Sequence, residues 1–188
     1  MSGIEKAIAH ADKLRAKTGV TDKLSIVDMT RLLDDLKWGQ TNLLKGTSDQ
    51  YRTLTGQGWL AITTASNAFT LMDGYDTGEL FTYSATITNP TDYGINLEAT
   101  MIGNNGQPVG FKQAWVHSPT VNGHTKDQHV SAIVRKPIGG VRLRTYITCQ
   151  GGYEPVGTKI QVKDERLYVG TEPGVWTPNP ADKVGGGK

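Results

Sequence analysis

The 188 residues carry 20 Lys and Arg against 18 Asp and Glu, a formal charge of +2, and 37% of them are hydrophobic. So small a charge, with no Lys/Arg cluster interleaved with aromatic residues, excludes the electrostatic footprint that nucleic-acid binding needs. The sequence holds no apolar run of the roughly 18 residues that a membrane helix requires, and its N-terminus lacks the apolar block of a signal peptide, so the expectation is a soluble protein made in a cytoplasm, with no membrane partner.

Along the chain the first signal is helical. Ile4, Ala7, Ile8, Ala11 and Leu14 recur at three- and four-residue intervals, which puts them on one stripe of a helix over residues 3–17. Thr18-Gly19 closes it, and Ser25 with Asp28 three residues on starts a second helix whose apolar face is Ile26, Met29, Leu32, Leu33 and Leu36, ending near Lys37-Trp38-Gly39. Helices this short are marginal alone in water, so they must pack on something. Two packings fit: a cap against the following domain, or a short bundle with copies of the same stripe at a trimer axis. Residues 1–39 therefore read as an assembly arm.

After Gly39 the period changes from helical to alternating. Strand-like segments run through Trp59–Thr63, Ala68–Met72, Leu80–Asn89, Tyr93–Ile102, Lys112–His117, His129–Arg135, Val141–Thr148 and Thr158–Val162. Met72-Asp73-Gly74, Asn89-Pro90-Thr91, Asn104-Asn105-Gly106, Asn122-Gly123, Gly139-Gly140 and Gly151-Gly152 punctuate them as turns. Eight or nine short strands at this spacing predict a two-sheet sandwich over residues 40–183. The lone cysteine, Cys149, shares a strand face with Ile147 and is expected to be a buried small residue. Residues 184–188, ending Gly-Gly-Gly-Lys, have the composition of a flexible tail.

The last strand and its exit carry a family likeness. Val156 to Pro180 runs as an alternating strand, the acidic pair Asp164-Glu165, Leu167-Tyr168, Gly170 and a Trp176-Thr177-Pro178-Asn179-Pro180 exit. This resembles the closing strand of carbohydrate-binding-module-like jelly-roll domains in tail fibre and baseplate proteins of phages that infect Gram-positive bacteria. The Asn42-Leu43-Leu44 start and the Phe81-x-Tyr83-Ser84-Ala85-x-Ile87 strand extend the resemblance over about residues 41–183, and the helical arm resembles, more loosely, the N-terminal segment of receptor-binding proteins from phages of lactic acid bacteria. The resemblance implies a mainly β fold, a jelly-roll β-sandwich preceded by a short N-terminal α-helical arm. It implies a virion protein that is a homotrimer, contacts other tail or baseplate proteins, and binds host cell-wall polysaccharide or another surface glycan. It also implies that Trp176 folds back on the sandwich, and that Asp164 stands where related modules place a calcium ligand tying first and last strands, although no acidic partner lies near Asn42 to Thr47.

The residues themselves offer little to catalysis. Most acidic side chains of the β region stand in turns, so the facing carboxylate pair of a glycosidase is missing. His10, His117, His124 and His129 have no zinc-like spacing, and there is neither a Gly-x-Ser-x-Gly elbow nor a phosphate-cradling glycine loop. The expectation is not an enzyme. Sugar recognition needs flat aromatic faces with hydrogen-bonding groups beside them. Alternation puts Gln113, Trp115 and His117 on one face against Ala114 and Val116. It likewise sets Arg142, Arg144 and Tyr146 against Val141, Leu143 and Thr145, and Glu98 with Asn96 and Thr100. The candidate carbohydrate site is thus Trp115, Gln113, His117, Arg142, Arg144, Tyr146 and Glu98, with turn residues Trp59, Tyr75 and Tyr153 as a loop-tip alternative.

Overall fold

Strict alternation in the long strands dictates two layers. Phe81, Tyr83, Ala85 and Ile87 on one strand, and Ile95, Leu97, Ala99 and Met101 on the next, are each fully buried at every second position, which requires both strands to turn one face toward a common core. The computed structural model describes residues 42–56, 70–110, 115–149, 156–171 and 176–179. The expected helical arm, the 59–63 strand, Gln113 and the 184–188 tail lie outside them.

The described strands are β1 (Arg52–Thr55), β2 (Thr70–Leu71), β3 (Leu80–Asn89), β4 (Ile95–Ile102), β5 (Trp115–His117), β6 (Thr125–Arg135), β7 (Arg142–Cys149) and β8 (Lys159–Val169). They form two four-stranded sheets, ordered β1-β8-β3-β6 and β2-β7-β4-β5. Every pairing is antiparallel. The core between the sheets takes Val130 and Val134 from β6, Leu143, Ile147 and Cys149 from β7, and Ile160, Val162 and Leu167 from β8. The molecule is a mainly β protein of sandwich form. Cys149 is buried, as its strand position predicts.

The sequence reading differs from the structure in three places. Arg52–Thr55 pairs with β8, yet only Leu54 of its four residues is buried, so the segment has no hydrophobic alternation to betray it. β6 starts earlier, at Thr125, and β8 runs on to Val169. Both extensions are made possible by bulges against β3. Between the Ile87–Gln128 and Asn89–Thr125 pairs, Lys126 and Asp127 stand against one residue. Between the Ser84–Arg166 and Thr86–Lys163 pairs, Asp164 and Glu165 stand against Ala85. Asp127 and Asp164 take left-handed φ values of 54° and 52°, the conformation that lets a ladder absorb an extra residue.

The second bulge changes which way the acidic pair points. Asp164 faces the outer side of the first sheet near Thr86, whereas Glu165 turns inward and is fully buried. There it accepts a hydrogen bond from the Tyr83 hydroxyl at 2.8 Å and pairs with the Arg52 guanidinium at 2.5 Å. Glu165 is therefore no turn carboxylate. Burial, followed by the Glu165 charge and hydrogen bond, pushes the Tyr83 phenol well above its ordinary pKa.

Entry and exit of the sandwich are fastened together. The buried Asn42 amide donates to Thr47 Oγ1 and to the Glu165 carbonyl, and its oxygen accepts from the Leu44 and Leu167 N–H groups. Asn179 donates to the Asn42 carbonyl at 2.8 Å. Trp176 donates to Thr47 Oγ1 at 3.3 Å, so the exit tryptophan does fold back on the start of the domain.

Candidate functional site

β4 is central to the second sheet, and its core-facing residues leave Asn96, Glu98 and Thr100 on the opposite side. Register fixes their neighbours: Glu98 lies between His117 on β5 and Tyr146 on β7, and Thr100 lies between Trp115 and Arg144. Arg142 follows on the same face of β7, opposite Ile102. Six of the seven residues expected from alternation thus share one outer surface; Gln113, the seventh, falls outside the described residues.

Trp115, 40% exposed, stands on edge strand β5, its ring centroid 6.5 Å from that of His117. Two strands away, the Arg144 guanidinium lies over the Tyr146 ring at 4.5 Å. Two strand spacings are about 10 Å, and the small, buried Thr100 lies between. An indole thus stands on one side and a stacked Arg-Tyr pair on the other, with Thr100 covered between them. Thr100 did not stand out in the sequence as a site residue. It also donates to Glu98 Oε1 at 2.9 Å, while the other Glu98 oxygen is 3.3 Å from His117 Nε2. One contact ties the carboxylate to His117 and the other ties it to Thr100, in the Trp115–Arg144 row.

Arg144 is the unusual group. Its Nε is buried without a hydrogen-bond partner, and no carboxylate among the described residues forms an ion pair with it. Burial lowers its pKa, against the raising effect of nearby Glu98.

Other candidates separate in space. Tyr75 packs edge-on against Phe81, centroids 5.0 Å apart, and is partly buried against the core, so it belongs to the interior rather than to a loop tip; Trp59 and Tyr153 lie outside the described residues. His124 contacts Asp92, His129 contacts Thr86 on the first sheet, and His117 is on the second sheet, so the three do not converge. Among the described residues no three His, Cys, Asp or Glu side chains gather to hold a metal. The tie between entry and last strand, which the resemblance assigns to calcium near Asp164, is made here by the Asn42 amide and the Arg52–Glu165 pair. A second polar cluster escaped the sequence reading: Asp127 accepts from the Tyr51 and Thr88 hydroxyls, with Lys163 over the Tyr51 ring. Its members come from four distant segments, and Asp127, at the first bulge, is the residue the two hydroxyls share.

Comparison with known proteins adds little. No family model matches the chain, nor does any curated protein. One solved structure with which it aligns is the EclA C-terminal domain, described as a sugar-binding protein, at 10% identity over 69% of this chain and 72% of that one, with a TM-score of 0.31. A likeness that distant carries no argument about this site.

Proposed function

We propose that this chain is a non-enzymatic adhesion module that holds saccharide on the outer face of the second sheet, and that it serves as a receptor-binding component of a phage tail with a jelly-roll core. The observation that carries the saccharide reading is the placement of Trp115 across Thr100 from Arg144 and Tyr146. A pyranose ring has an apolar face that suits an indole and a hydroxyl edge that suits amide, carboxylate and guanidinium groups. The phage assignment is supported by the closing-strand and exit residues from Val156 to Pro180. Single sites on an open sheet face bind weakly. A homotrimer joined through residues 1–39 would raise the avidity by about a hundredfold or more through effective concentration.

Calorimetry against cell-wall saccharides from Gram-positive hosts tests the site. Trp115→Ala is expected to weaken binding at least about tenfold, the loss of roughly 1.4 kcal/mol, with the thermal midpoint unchanged because Trp115 is partly exposed on an edge strand. Unaltered affinity would remove this face from consideration.

A second reading has its own observation. Leu71, on edge strand β2 opposite Arg142, and Ile138, in the turn before β7, are 62% and 86% exposed. Two apolar side chains at the end of the same sheet suit docking of a neighbouring virion protein, in which case the sandwich is a structural spacer. Leu71→Ser with Ile138→Ser would then abolish assembly with that neighbour, and the unaltered chain would bind no saccharide in calorimetry.

A further inference from the structure

We infer that residues 25–37 lay their apolar face on the end of the sandwich that carries Leu71 and Ile138, so that the segment leading into the domain caps that end. The occupant comes from the same chain. A neighbouring virion protein on the same two side chains is the competing occupant, and the two make opposite predictions for the isolated chain.

Three observations converge on it. First, two apolar side chains stand bare at one end of the molecule: Leu71 is 62% and Ile138 86% exposed. Leu71 pairs with Arg142 at the start of β7, and Ile138 lies in the turn that carries the chain from β6 over that end into β7, between the Lys136–Glu79 and Met72–Val141 backbone bonds. Second, the chain enters the sandwich at the same end and on the same flank. The Leu43 N–H donates to the Leu167 carbonyl at 2.8 Å while Tyr83 of β3 takes the other side of Leu167, so the entry lies on the β1 flank of β8. From Leu43 the chain runs antiparallel to β8 and reaches Arg52 opposite Val162; it therefore arrives from the Val169 end, where β3 begins. Because β6 packs over β4 and β5, the opposite edges, β1 and β2, face each other across the roughly 10 Å between packed sheets. Leu71 is on β2. Third, the residues that precede the entry carry a matching face by sequence, since Ile26, Met29, Leu32, Leu33 and Leu36 recur at helical spacing. A helix of that length is marginal alone in water and needs a surface. Trp38 to Thr41 reach up to about 14 Å, enough to pass from the entry to β2, and so short a tether raises the effective concentration of the segment at the patch. At the other end of the chain, residues 180–188 offer Val184 as their one branched apolar side chain, too little to cover two. The stripe over residues 3–17 stays available to other copies.

The test is amide hydrogen exchange, read by mass spectrometry, on the full chain with no other protein present. Residues 25–37 are expected to exchange at least about tenfold more slowly than the same residues in an isolated peptide. Leu71→Ser with Ile138→Ser should erase that protection and leave β3 and β8 as they were, whereas Leu71→Val with Ile138→Val should retain it. Met29→Ser with Leu33→Ser should erase it from the other side. Lysine cross-linking of a co-refolded mixture of isotope-labelled and unlabelled chains should join Lys136 to Lys23 or Lys37 within single chains. Absence of protection over residues 25–37 overturns the inference and leaves the patch to a neighbouring protein. Protection indifferent to Leu71→Ser with Ile138→Ser overturns it too, because the segment then packs elsewhere. Cross-links formed chiefly between labelled and unlabelled chains overturn it in favour of the segment of a second copy. Unchanged exchange in β3 and β8 establishes that each variant is folded, and the cross-links of the unaltered chain decide should the serine variants fail to fold.

Discussion

Glu165 reads in the sequence as half of an exposed acidic pair, and the structure puts it out of reach of water between Tyr83 and Arg52. Removing one partner of a buried pair leaves the other charge stranded, which typically costs 3–5 kcal/mol. Because the Arg52 side chain keeps 21% of its surface exposed, the lower end applies. Glu165→Ala should lose about 3 kcal/mol in urea unfolding, and Tyr83→Phe about 1 kcal/mol. Alkaline pH offers a separate handle. A phenol whose folded pKa lies above its unfolded value of about 10 contributes stability that is complete below that pH and is lost as pH rises beyond it. The unfolding midpoint should therefore fall above pH 10, and less steeply in Tyr83→Phe; identical slopes would show that Tyr83 is not the group responsible. No residue-by-residue pattern could reveal this network, since its three members come from strands β1, β3 and β8, and nothing in a lone Glu distinguishes buried from exposed.

Strands whose two faces differ were legible. Arg142, Arg144 and Tyr146 alternate against Leu143, Thr145 and Ile147, and burial follows that alternation along β7. That Arg142, Arg144 and Tyr146 share an outer face could be read from sequence for this reason, whereas the place of Thr100 between Trp115 and Arg144 could not, because it depends on strand register. Bulges hid the rest. A ladder that absorbs an extra residue breaks period two, so Lys163-Asp164-Glu165 looked like the end of a strand that in fact continues to Val169. Asp164, at φ 52°, supplies the measurable consequence. Gly accepts that conformation and a β-branched residue resists it, so Asp164→Val should destabilise by about 1–3 kcal/mol while Asp164→Gly changes stability little. Equal losses in both, measured by chemical unfolding, would mean that the carboxylate and not the backbone matters.

On the scale of the whole molecule, assembly and recognition are expected to be separable. If residues 1–39 hold a trimer, light scattering should give three times the chain mass for the full protein and one for a chain starting at Gly39, whose single-site affinity for saccharide should be unaltered. Equal monomers in both preparations would end the trimer reading. Asn179 meets Asn42 at 2.8 Å, so the chain enters and leaves the sandwich through a common doorway. Tension applied between those two positions would be borne by their own clasp and would largely bypass the sheets, much as a pendant hangs from a necklace without carrying its strain. Such a module can be grafted into a loop of an unrelated host with little distortion of either.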